Sequence, residues 1–267
     1  MEAPSPSARR VLGLLLAVNL LNYLDRQALY AVFPLLKEDL ALSDGALGLL
    51  GSAFMLCYML SAPLFGWLGD RGNRSRVGAF GLAAWSVATI FSGLASSYRA
   101  LLPARALVGL GEASFGTVSP GLLSDYYPKE RRGRALSWFY LAIPVGSALG
   151  YLLGGVLGHR FGWQAAFLMV GAPGLLLVYP LLRLRDPRPA VAPGGTGAAG
   201  GGRALLSNRS FVANTLAMAA MTFAMGGLAQ WVPSFYCRAH SLDVARANLL
   251  FGGITVVAGI CGTTLGG

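Results

Sequence analysis

Four ionisable residues stand inside otherwise apolar runs: Asp25 and Arg26 in the first run, Arg105 and Glu112 in the fourth. A charge in hydrocarbon costs at least ~2.5 kcal/mol even on insertion scales, so each needs a partner, a cavity or a function. Desolvation favours a protonated carboxyl and a nearby arginine favours the ionised one, so Asp25 and Glu112 have the chemistry of a proton carrier. The guanidinium groups of Arg26 and Arg105 suit an anionic head group. A second reading uses the same residues for structure alone, pairing Asp25 with Arg105 or Arg26 with Glu112 to tie two helices together. Both readings stay open at this stage.

Spacing places these groups on defined faces. Asn19, Asn22, Tyr23, Arg26 and Tyr30 recur at i, i+3, i+4, i+7 and i+11, a polar stripe along one helix with Asp25 beside it. Arg105 and Glu112 are two turns apart on one face, with Gly109 between them to let another helix or a substrate approach. At a rise of ~1.5 Å per residue, Asp25 lies roughly 21 Å and Glu112 roughly 18 Å from the inner ends of their helices, near one depth.

The elements that hold these groups follow from composition. The chain has 267 residues, of which 55% are hydrophobic and 12% charged, with a mean hydropathy of +0.58. Soluble domains carry about 25% charged residues. The apolar blocks at 11–33, 47–69, 77–98, 101–124, 135–158, 163–182, 211–233 and 247–267 each approach the ~20 residues needed to cross a bilayer. An all-α polytopic membrane protein is therefore expected. Arg9 and Arg10 before the first block resemble a signal peptide start, but Asn19, Asn22, Asp25 and Arg26 follow without a cleavage site, so that block is read as a retained helix.

The net charge of +10 orients the chain. With the N-terminus cytoplasmic, 14 of the 21 Lys and Arg residues fall on the inner side and 5 on the outer, as the positive-inside rule requires. The basic excess is thus no sign of nucleic acid. Cys57, Cys237 and Cys261 have no CxxC spacing, and His159 and His240 are isolated, so neither a metal nor a cofactor is expected. No nucleophile and base are spaced for enzymatic chemistry.

Three domains are read along the chain: a six-helix bundle at 1–186, a Gly/Ala/Pro-rich cytoplasmic linker at 187–209, and the start of a second bundle at 210–267. An offset near 200 residues relates Pro34 to Pro233 and Leu42-Ser43-Asp44 to Ser241-Leu242-Asp243, a parallel repeat typical of transporters built from two halves. The repeat ends near its counterpart of Gly66, so the chain reads as a complete first half with about two helices of a truncated second.

Between the second and third blocks, Gly66-Trp67-Leu68-Gly69-Asp70-Arg71-Gly72-Asn73-Arg74 puts one carboxylate among cations, with glycines read as allowing a tight turn. This loop resembles the signature of the major facilitator superfamily. Gly146, Gly150 and Gly154 form a flat packing face every fourth residue. They resemble the glycine-rich helix of superfamily antiporters, except that Tyr151 stands where those have proline. Asn22-Tyr23-Leu24-Asp25-Arg26-Gln27, Gly111-Glu112-Ala113-Ser114, Ser124-Asp125-Tyr126-Tyr127-Pro128 and the run from Ile143 to Tyr151 together resemble the Spinster-type branch.

The resemblance implies a proton-coupled secondary transporter that exports amphiphilic lipids, such as sphingosine 1-phosphate or lysophospholipids, by alternating access. It implies proton coupling at Asp25 and Glu112, substrate contact at Asn22, Tyr23, Arg26 and Arg105, and a gating motif of Gly66, Asp70, Arg71, Gly72 and Arg74. Asp70 would lock against an eleventh helix that lies beyond this chain. An organic-anion/proton symporter, a drug efflux transporter of the same superfamily and a non-transporting membrane fragment are the alternatives. The expected partners are protons, the lipid bilayer and a small amphiphile, for a protein that is monomeric at full length. The expected location is the bacterial inner (plasma) membrane.

Overall fold

The computed structural model describes residues 6–188 and 206–266; most of the expected linker lies outside the described residues. Ten helices follow one another: α1 (Pro6–Ala31), α2 (Phe33–Asp39), α3 (Asp44–Arg71), α4 (Arg74–Leu94), α5 (Tyr98–Asp125), α6 (Lys129–Tyr140), α7 (Ala142–Phe161), α8 (Trp163–Leu182), α9 (Arg209–Ala239) and α10 (Val244–Gly266). No strand occurs among the described residues.

Local chemistry sets the helix starts and stops. Ser43, Asn73 and Asn208 each cap a helix by accepting a hydrogen bond from a first-turn N–H, at 3.2, 3.0 and 3.3 Å. Gly162 joins α7 to α8 with φ 84°, a left-handed conformation that glycine adopts without penalty. Two expected helices are broken. The first block stops at Ala31, turns at Val32 and restarts as α2, whose early Pro34 lacks the N–H that would continue α1. The fifth block divides at Leu141 into α6 and α7, since Pro144 cannot bond back to the Tyr140 carbonyl.

Asp44–Arg71, Arg74–Leu94, Lys129–Phe161, Trp163–Leu182 and Arg209–Ala239 are long and apolar enough to cross a membrane. α1 and α5, with 26 and 28 residues, match them in length but carry the mid-helix charges. α10 has a shorter apolar stretch at Val244–Gly259.

Close approach of helix backbones holds the bundle together. A Cβ on Gly146, Gly150 or Gly154 would lie 2.7 Å from the Leu20 carbonyl oxygen, 2.5 Å from that of Leu24 and 2.9 Å from Ala31 Cβ respectively, so this face of α7 rests on α1. α4 meets α5 as tightly, with Gly111 against the Trp85 backbone. One apolar cluster gathers Val11, Leu15, Val18, Phe54, Trp85 and Phe139; a second gathers Leu29, Phe33, Leu36, Leu47, Trp163 and Phe167. Along α1 the first cluster ends at Val18 and the second begins at Leu29, so Asp25 and Arg26 stand between two dry layers.

The two related loops share a backbone detail. Ala41 and Ser241 are the positive-φ non-glycine residues among those described, at 49° and 52°, three residues before Asp44 and two before Asp243 respectively. They sit 200 positions apart, as the sequence repeat requires.

Replacing Gly150 with leucine forces α7 away from α1 and is expected to cost about 1–3 kcal/mol through overpacking. Gly13→Ala, at a position with nothing within 4 Å of an added Cβ, is expected to leave stability unchanged or raised. Thermal unfolding of the two variants in detergent checks the contrast.

Candidate functional site

The four intramembrane charges meet as two pairs between α1 and α5. Arg26 donates from Nε to Glu112 Oε2 at 2.6 Å, and Arg105 from Nη1 to Asp25 Oδ1 at 3.1 Å. Consecutive residues on α1 point in different directions around the helix, while Arg105 and Glu112 are about 10 Å apart along α5. Each α1 charge therefore reaches a different opposite charge, and both pairings expected from the sequence form at once.

The two pairs differ in how completely they are satisfied. Asp25 is 1% exposed and its second oxygen accepts from the Thr89 hydroxyl of α4. Arg105, also 1% exposed, lies over the Phe167 ring at 5.4 Å. Glu112 is fully buried, yet its Oε1 has no hydrogen-bond partner among the described residues. Arg26 keeps 16% of its side chain exposed and sits among the rings of Tyr23, Phe54 and Tyr58, with centroids at 5.1, 5.1 and 4.9 Å. Those rings attract the cation through their negative faces. The Asp25 carboxylate is thus sealed and bonded at both oxygens, although Arg105 Nε has no partner among the described residues, while the Arg26–Glu112 pair is reachable and holds an open acceptor.

The rest of the polar stripe has separate partners. Asn19 donates to the Phe139 carbonyl at 3.0 Å, tying α1 to α6. Asn22 is 3% exposed with its amide nitrogen unpartnered, facing the same interior. Tyr30 is buried and packs edge-on against Phe33. Gly109 admits a helix rather than a substrate, for an added Cβ would lie 2.1 Å from the Phe54 carbonyl of α3.

The signature loop forms a second site, at the end of the bundle where α3 turns into α4. Arg74 is its centre: its side chain reaches Asp125 at 2.7 Å and Asp186 at 2.6 and 3.1 Å, and its backbone N–H reaches Asp186 at 3.0 Å. Arg188 donates to the Gly69 carbonyl at 2.5 Å and lies 4.0 Å from Asp70, which is otherwise exposed. Arg71 stacks over Trp67 at 4.4 Å. Gly72 has φ −110°, an ordinary extended value, so the loop does not need glycine for its turn. What it needs is room: an added Cβ would lie 2.9 Å from the Leu68 oxygen at Gly72 and 2.6 Å from Val118 at Gly69, while Gly66 is looser at 3.5 Å from Thr117.

Thr89, Asp125 and Asp186 are functional neighbours that spacing did not single out. Thr89 looks like any helix-facing threonine until α4 is laid beside α1. The two aspartates carried a signal, as acidic residues at basic helix ends. Among the described residues, no group of three His, Cys, Asp or Glu side chains is gathered to hold a metal ion.

A family model described as the Major Facilitator Superfamily matches residues 15–267. The chain is 35% identical to Protein spinster of Drosophila melanogaster over 93% of its length and 43% of that protein. It is 35% identical to the sphingosine-1-phosphate transporter SPNS2 of Danio rerio, covering 95% and 55%, and 36% identical to Protein spinster homolog 1 of Homo sapiens, covering 96% and 53%. Crystal structures of a bacterial homologue of the human lysosomal transporter Spinster, inward-facing and unoccupied or occupied, superpose with TM-scores of 0.83 at 28% and 29% identity. They match over 97% and 99% of this chain and 61% of theirs. The chain spans about half the length of the curated relatives it matches.

Burial pushes the Asp186 carboxyl up, but hydrogen bonds from the Arg74 side chain, the Arg74 N–H and the Arg188 N–H outweigh it and hold the group well below the usual carboxylate range. Its contribution to stability is therefore full above the unfolded value of about 4 and falls away as pH drops towards the depressed folded value. Asp186→Asn is expected to lower stability at neutral pH by about 1–3 kcal/mol and to flatten the loss between pH 4 and the acid limit. Thermal melts across that range read both effects.

Proposed function

The chain belongs to the major facilitator superfamily, and from that membership we propose that it functions in a Spinster-like, proton-coupled transporter for amphiphilic anionic or zwitterionic lipids, working by alternating access. The observation that carries this reading is the pair of buried arginine–carboxylate bridges joining α1 to α5, one sealed and one with an open acceptor. The Spinster-type relatives, one of them a sphingosine-1-phosphate transporter by name, support the substrate class.

In this mechanism Glu112 and Asp25 carry the coupling, in different ways. A proton on Glu112 removes the counter-charge of Arg26 and leaves a guanidinium, only slightly exposed, among three aromatic rings. A phosphate head group then takes the carboxylate's place, with bidentate geometry available to the planar cation. Loss of the proton restores the Arg26–Glu112 bridge and expels the head group, so the ionised carboxylate and the lipid head group compete for one arginine. Asp25 holds Arg105 in place until helix movement separates α1 from α5 and brings Arg105, Asn22 and Tyr23 to the substrate. The two apolar layers above and below the charges exclude water, which strengthens each charge interaction between them.

The rest of the chain fits the same scheme. Residues 1–186 form the first bundle, 187–209 the cytoplasmic linker and 210–267 the start of the second bundle. Gly66, Asp70, Arg71, Gly72 and Arg74 are the gating loop, and Gly146, Gly150 and Gly154 are the surface on which α7 moves against α1. The N-terminus is cytoplasmic in a bacterial inner membrane, and the full-length protein is a monomer.

Reconstitution into proteoliposomes with an imposed pH gradient tests the assignment. Glu112→Gln is expected to reduce gradient-driven lysophospholipid uptake to background while retaining lipid exchange at equal pH. Asp25→Asn, which strands a buried Arg105, is expected to destabilise the protein by about 3–5 kcal/mol as well. Undiminished gradient-driven uptake in both variants would rule out the coupling role. Competition by sugar acids in place of lysophospholipids would move the substrate to the organic anions.

A further inference from the structure

α9 is attached to the rest of the chain at one end. Residues 213–228 are exposed, whereas Pro233 and Ser234 are buried and the segment around them is pinned. Trp231 packs against Phe33 with centroids 5.7 Å apart. Arg238, in the last turn of α9, grips both oxygens of Asp44 at 2.6 and 2.8 Å, and Lys37 reaches the same carboxylate at 2.7 Å. This closed end is the one that carries the α2–α3 and α9–α10 turns.

Pro233 leaves a gap inside the clamp. In a continuous helix the N–H of residue 233 would bond to the carbonyl of Ala229, but proline has no N–H, so that carbonyl is left open. The hydroxyl of Tyr151, from α7, donates to it. Tyr151 is 1% exposed and its ring packs edge-on against Phe251 of α10, with centroids 4.9 Å apart. The hydroxyl therefore reaches the freed carbonyl from a fixed position. Asn248 of α10 makes a bond of the same kind in the other direction, donating to the carbonyl of Ala31 at 3.0 Å, where α1 ends.

We infer that Tyr151 is a gating residue: its hydroxyl, bonded to the Ala229 carbonyl that Pro233 leaves free, latches α9 to α7 and holds this end of the molecule shut. Opening that end requires α9 to swing out on its proline, and the bond breaks as it does so. The open carbonyl then takes a water, so the latch is reversible and has a small fixed strength. Gly150 and Gly154 set the stretch of α7 that carries Tyr151 close against α1 in this state, at the Leu24 carbonyl and at Ala28 and Ala31. The assignment rests on the alternating-access reading for its meaning, but its test needs neither a lipid nor a pH gradient.

Cys237, half-buried beside Arg238, reports directly on the closed end. In the C57S/C261S background, reconstituted in nanodiscs, the rate of Cys237 modification by a charged maleimide measures how often that end opens. Tyr151→Phe keeps the ring against Phe251 and removes only the hydroxyl. It is expected to raise the rate roughly two- to tenfold, as loss of one hydrogen bond from the closed state implies. Pro233→Ala gives the Ala229 carbonyl a donor from its own helix, so adding Tyr151→Phe to that variant is expected to change the rate less than about 1.5-fold. An unchanged rate in Tyr151→Phe, or the same increase in the Pro233→Ala background, would overturn the proposal. Failure of the lipid uptake assay with this result intact would overturn the transport reading and leave the latch standing.

Discussion

Everything in the bundle is arranged around the need to keep four charges in a medium that rejects them. The two bridges between α1 and α5 answer that need only if the helices stay in register, because each charge must meet its opposite at a different height. Register in turn depends on how near the backbones come. α7 lies against α1 through glycines, α4 lies against α5 through Gly81 and Gly111, and α3 enters the notch at Gly109. Small residues thus do the positioning, and the charged residues are positioned by them. The fall-off of dispersion attraction with distance makes such a fit stiff, since a gap of even 1 Å forfeits much of the contact energy.

The inequality of the two bridges is as informative as their presence. A buried pair whose carboxylate is bonded at both oxygens is hard to break because either partner alone is left uncompensated. Asp25, with Thr89 and Arg105 on its two oxygens, is in that position. Glu112 is not, for one oxygen is open and its partner arginine already leans on three aromatic rings. Those rings stabilise a cation whether or not the carboxylate is ionised, which lowers the cost of separating the pair. A fully buried bridge and a partly exposed one thus stand side by side on the same two helices.

Much of this was legible in the sequence for a physical reason: in a chain so poor in charge, an intramembrane carboxylate or arginine stands out. The glycines of α7 were equally plain, because a period of four marks a helix face. Partner choice was harder to read. Whether Asp25 met Arg105, and whether Glu112 met Arg26, depended on the packing of helices some 80 residues apart. Thr89 and Asp186 gained their roles only through that packing. The loop glycines were read as turn formers, whereas Gly69 and Gly72 are there for lack of space. Tyr151 was visible as a departure from a motif, but its use was not, since the carbonyl it meets is opened by a proline on a different helix.

Arg74 stands at the far end of α3 from Asp44. One guanidinium gathers the start of α4, the end of α5 and the stretch of chain that leaves α8. The polypeptide therefore does not drift away from the bundle at the last turn of α8. It is moored first, at Asp186 and Arg188, to the corner between α3 and α4, and whatever pulls on the chain beyond that point pulls on this corner. The stretch that leaves α8 is thereby held directly on the loop between α3 and α4.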